Sequence, residues 1–178
     1  MTTMGELEEQ RAELLKRAFN FFFKQLELEE EENCLCKLKV NLVHYSTLPV
    51  GTEGICTTAI NVKTREITDI SVRIKNTSNS WGMVETLAHE MIHVKQNITG
   101  DLKHGVRWKK LFGIIPYMPY SYPIYKGIDC DDVPYKDRLF EIEAFTEQSN
   151  LTKLFLMDEM RKKDEQEDQS EQDIEVVV

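Results

Sequence analysis

Residues 84–96 read VETLAHEMIHVKQ, and no other stretch restricts the fold as tightly. Residues four apart on an α-helix stand one above the other, so a helix here presents His89 and His93 to a single point. Leu87, Met91, Val94 and Ile98 give the same helix an apolar side distinct from the histidines. The pattern predicts a helix from about Ser80 to Ile98, with N-caps offered by NTSNS and a stop at Gly100.

The segments around it alternate in character. Leu7, Leu14, Leu15, Ala18, Phe22 and Leu26 recur at helical spacing, so a helix is expected from about Gly5 to Glu32, packing on the core through FNFFFKQ. The period then changes to two. CLCKLKVNLVHY, GICTTAINV and EITDISVRI read as three strands, the last alternating Ile67, Asp69, Ser71 and Arg73 against Thr68, Ile70, Val72 and Ile74, with NVKTRE as a hairpin turn. Residues 113–135 hold four of the five prolines and five of the six tyrosines and read as a long loop, a kind more often functional than idle. KDRLFEIEAFTEQSNLTKLFLMDEM reads as a closing helix. The expected organisation is an N-terminal helix over 1–33, one folded domain over 34–157 and a disordered acidic tail over 158–178, with no internal repeat.

Charge and cysteine usage narrow the function classes. The 178 residues carry a formal net charge of -9. Nine acidic residues against Arg161, Lys162 and Lys163 place -6 of it in 158–178 and leave -3 for the rest. Such a tail repels a phosphate backbone, so nucleic acid is a disfavoured partner despite the local RWKK. No apolar run reaches the length of a membrane span, and the charged N-terminus lacks the apolar core of a signal peptide, which together imply the cytoplasm. Cys34, Cys36, Cys56 and Cys130 then read as reduced thiols, and the single residue between Cys34 and Cys36 is too few for a zinc knuckle.

The two histidines point to chemistry. Zinc accepts imidazole ligands tetrahedrally, and Glu90, one step round from His89, can reach a water on that zinc without ligating it. It would take a proton from that water and deliver it to a leaving amine. A third ligand is needed, and three residues qualify: His104 in HGVRW, and Glu141 and Glu143 in LFEIEAF. The apolar face of the later helix centres near Ala144, Leu151 and Phe155. At about 100° per residue Glu141 falls about 60° from that face and Glu143 about 100° away on the other flank, which favours Glu141 as ligand and leaves Glu143 solvated or orienting a histidine.

ETLAHEMIHVKQ, then WKK, then VPYKDRLFEIEAF resembles a family of small phage-encoded zinc metallopeptidase-like proteins with H-E-x-x-H-V-K-Q and a later P-W-E-I-E-A-Y segment. The likeness covers roughly residues 67–148, with Leu139-Phe140 in place of Pro-Trp and Phe145 in place of the last aromatic. It implies an α+β, zincin-like minimal metalloprotease whose small sheet packs on the HExxH helix, with flanking N- and C-terminal helices. By likeness to gluzincin-type enzymes, whose later motif is E-x-x-A, it implies zinc on His89, His93 and Glu141 with Glu90 catalytic, acting on a protein or peptide in the host cytoplasm. A tyrosine among Tyr117, Tyr120, Tyr122, Tyr125 and Tyr135 would hold the oxyanion. VETLAHEMIH followed by HGVRW is also similar to the SprT-like, Spartan-type proteases, which would make His104 the third ligand. A non-catalytic protein using the zinc fold as an interaction scaffold is a further alternative.

Overall fold

A computed structural model describes residues 3–28, 38–43, 47–61, 67–77, 79–110 and 117–175. Cys34, Cys36 and most of the NVKTRE turn lie outside the described residues. The described chain is an α+β fold. In order it forms α1 (Met4–Gln25), β1 (Leu38–Val43), β2 (Gly54–Ile60), β3 (Ile67–Lys75), α2 (Ser80–Ile98), β4 (Leu102–Lys110), β5 (Tyr117–Tyr125), β6 (Ile128–Asp129) and α3 (Leu139–Glu175). A turn of 3-10 helix at Tyr135–Asp137 leads into α3.

The first sheet has the order β1-β3-β2, with β1 parallel and β2 antiparallel to the central β3. Alternation decides which side of β3 is inside: Ile70, Val72 and Ile74 are fully buried, whereas their neighbours are half-exposed. That buried side joins α2, α1 and α3 in one core. α2 is covered nearly all round, with the stretch from Leu87 to Val94 wholly buried. Asn79 caps its first turn by accepting from the Gly82 N–H at 3.0 Å, and Gly100 at φ +77° turns the chain out of it.

α1 starts with a capping box between Thr3 and Glu6 and buries Leu15, Ala18 and Phe22, the last against Phe155 of α3 with ring centroids 5.8 Å apart. It is shorter than the expected helix to Glu32: Glu27 takes a left-handed φ of 58°, which ends the helical run just past Gln25. α3 packs through Ala144, Leu151 and Phe155, the face expected from spacing.

Two expectations are corrected. The tyrosine-rich segment is mostly strand, because β5 pairs with β4 along its whole length and with β6 at one end, giving a second sheet of order β4-β5-β6. Prolines fit there because the Pro123 carbonyl accepts from the Cys130 N–H, which puts the amide-less side of Pro119 and Pro123 on the edge away from β4. The acidic residues 158–175, expected to be disordered, continue α3. They hold no Gly or Pro, and pairs such as Arg161–Asp158 at 2.9 Å, Lys162–Asp158 at 2.6 Å and Arg161–Glu165 at 3.3 Å link successive turns. Among the described residues, no helix is long and apolar enough to cross a membrane.

Candidate metal centre

The histidine side of α2 faces the first turn of α3. There His89, His93 and Glu141, all buried, offer three ligand atoms to one point. The His89 and His93 Nε2 atoms lie 3.1 Å apart, and Glu141 Oε2 lies 3.3 Å from the first and 3.5 Å from the second. For ligand bonds of about 2.0–2.1 Å, the edge of a zinc tetrahedron is about 3.3 Å, so these three atoms have the size of one tetrahedral face.

Their protonation follows from two glutamines. His93 Nδ1 lies 2.8 Å from Gln96 Oε1, and His89 Nδ1 lies 2.8 Å from Gln148 Oε1. The orientation of Gln96 is fixed on its other side, where Nε2 donates to the Phe140 carbonyl at 3.0 Å and to Glu143 Oε2 at 2.6 Å. Gln148 Nε2 likewise faces Glu85 Oε1 at 3.5 Å. An amide oxygen only accepts, so each neutral ring carries its proton on Nδ1 and turns an Nε2 lone pair inward. Glu141 Oε2 is buried without a hydrogen-bond partner. Three acceptor atoms converge with no donor between them among the described residues, an arrangement that a cation resolves. The group can therefore hold a metal ion, and the donor set of two imidazoles and one carboxylate fits one.

Electrostatics agree with the geometry. Burial raises the Glu141 pKa, but the adjacent His89 and His93 rings and the Tyr135 hydroxyl outweigh it and pull it down to about 2. Burial also opposes charge on His93, yet Glu141 and Gln96 leave its pKa raised. Glu90, next to His89 in sequence, is buried beneath β2 and accepts from the Cys56 backbone N–H. Burial is the chief reason its pKa is raised.

The remaining candidates take other positions. Glu143 stays outside the triad: it accepts from Gln96, Tyr125 and Lys126, and so braces the glutamine that holds His93. His104 is half-buried on β4 and lines a cavity of 620 Å³ that also touches His93 and Glu141, but it is not one of the three grouped atoms. Among the candidate tyrosines Tyr135 reaches the triad, with its hydroxyl on Glu141 and its pKa raised first by burial, then by Glu141 and Glu90, while the Tyr117 side chain lies outside the described residues. Tyr120 is held by Asp131, and Tyr125 by Glu143.

Gln96 and Gln148 are not legible as site residues in the sequence reading, which also leaves the choice among the five tyrosines open. A signal existed for Gln96, which follows His93 by three in HVKQ and so shares its helix face, and for Gln148, which follows Glu141 by seven. Comparison of the chain with protein-family models, with curated proteins and with solved structures found no match.

Proposed function

We propose that this chain is a zinc-dependent peptidase of zincin-like architecture, with Glu90 as general base. The observation that carries this reading is the convergence of two Nε2 lone pairs and an unpartnered carboxylate oxygen on one point, with the buried Glu90 on the same helix. Two histidines and a glutamate are a donor set that zinc accepts while keeping a position open. The likeness of HEMIHVKQ and EIEA to phage-encoded zinc metallopeptidase-like proteins supports the same reading. Zinc held by His89, His93 and Glu141 would supply Lewis acidity, polarising a carbonyl and lowering the pKa of water.

The chain's own residues supply the rest. Glu90 takes a proton from the attacking water and returns it to the leaving amine, and its raised pKa suits the second step as much as the first. Tyr135 donates from its hydroxyl to the oxygen on which negative charge develops. Gln96 and Gln148 hold the ring protons on Nδ1 and so keep both Nε2 atoms available. Among the described residues β2 pairs with β3 alone in its sheet, and an extended peptide laid along its other edge would run beside Glu90.

The test is Glu90→Gln. The variant is expected to retain about one zinc per chain by elemental analysis and to lose peptide hydrolysis by a factor of about 10²–10⁴. Full turnover by that variant would exclude the mechanism.

A further inference from the structure

The cavity beside the triad contains a cation that the proposed chemistry does not use. It opens on His93 and Glu141, and is walled by β2 through Cys56 and Ile60 and by β4 through Leu102 and Val106. Arg138 reaches into its lining from the residue preceding α3. The Arg138 side chain is half-buried, and its Nε donates to the Val133 carbonyl at 3.1 Å. Among the described residues no carboxylate lies within ion-pair distance of it, in a chain with 31 acidic residues against 22 basic ones. His104 stands in the same lining, half-buried and with neither ring nitrogen in a hydrogen bond among the described residues. Burial lowers its pKa and keeps it a neutral ring with one N–H to give.

A half-buried guanidinium lining a cavity with no counter-charge among the described residues is a ready anchor for one, and a planar five-donor group matches a carboxylate best. We propose that this cavity binds a carboxylate of the substrate, held by Arg138 with His104 as a second donor, so that the enzyme cleaves next to a negatively charged residue. The carboxylate is either the C-terminus of the peptide or an Asp or Glu side chain near the scissile bond. The inference deepens the peptidase reading and rests on it for the identity of the substrate, though the binding site itself does not.

The test uses the full-length zinc-loaded Glu90→Gln protein, which binds without turning over, and calorimetric titration with acetylated alanine hexapeptides. One carries a free C-terminus, one a C-terminal amide, and two amidated sets carry glutamate or glutamine scanned along the peptide. A carboxylate peptide is expected to bind about tenfold more tightly than its neutral counterpart. The advantage should vanish on adding Arg138→Gln, with zinc content unchanged. An advantage confined to the free C-terminus identifies a carboxypeptidase, and one confined to glutamate identifies an acidic side-chain subsite. Thr58→Glu places a competing carboxylate in the same cavity and should remove the advantage without touching the Arg138–Val133 contact. Equal affinity for charged and neutral peptides, or an advantage that survives both variants, overturns the proposal. Charge discrimination by a wild-type chain that cleaves none of these peptides and no protein overturns the peptidase reading instead.

Discussion

Gly54 shows how closely β2 is pressed onto α2. A Cβ built on it would lie 2.5 Å from Thr86 Cγ2 and 2.9 Å from Glu90 Oε1, so even alanine must displace both of them. Gly54→Ala is expected to lower turnover by about tenfold or more through the misplaced carboxylate, with zinc content unchanged. Loss of zinc together with activity would mean that the strand holds the whole site and not Glu90 alone. The ligands give a pH dependence whose sign is set by His93. Its pKa in the metal-free chain is raised from 6.5, whereas Glu141 stays ionised down to about 2. Protons compete at His93 first, so zinc affinity should be complete well above pH 6.5 and fall as pH drops through that region. A competition titration that lost zinc only near pH 2 would place the competing proton on Glu141.

At the scale of elements, α3 joins a ligand-bearing start to a distal part that has little to pack on. Phe155 is fully buried, but Leu156, Met157 and Met160 are exposed, and among them the helix meets α1 through the Arg17–Glu159 pair at 2.9 Å. Exposed ion pairs of that kind contribute little singly. Removing residues 161–178 is therefore expected to leave zinc content intact and to shift Tm by no more than about 2 °C. A much larger fall would assign the acidic turns a structural partner. The strand segment that replaced the expected loop illustrates the opposite dependence. Tyr117–Tyr125 is strand because β4 lies beside it, with the turn between β5 and β6 made by Lys126 at φ 47° and Gly127 at φ 82°. Nothing in the local period of YMPYSYPIY announces that partner.

For the molecule as a whole, an ion held by His89, His93 and Glu141 would tie α2 to α3 across the core. Ions that bind the folded chain and not the unfolded one stabilise it by mass action, about 4 kcal/mol at a thousandfold excess over Kd. Adding zinc to metal-free protein should accordingly raise Tm by roughly 10 °C, and Glu141→Ala should abolish that rise. An equal rise in the variant would show that zinc binds elsewhere. The sequence alone determined the helix, because a repeat of four and an apolar stripe refer only to the helix's own axis, and His89, His93 and Glu90 are read from that axis. The same logic ranked Glu141 above Glu143 by the angle each makes with Ala144, Leu151 and Phe155. Only the tertiary structure decided that Glu141 and not His104 joins the two imidazoles, that Gln96 and Gln148 set their tautomers, and that Tyr135 reaches the triad. Each of those depends on the distance between side chains from elements far apart in sequence, and periodicity gives a side chain's direction about its own axis while leaving open what stands opposite it.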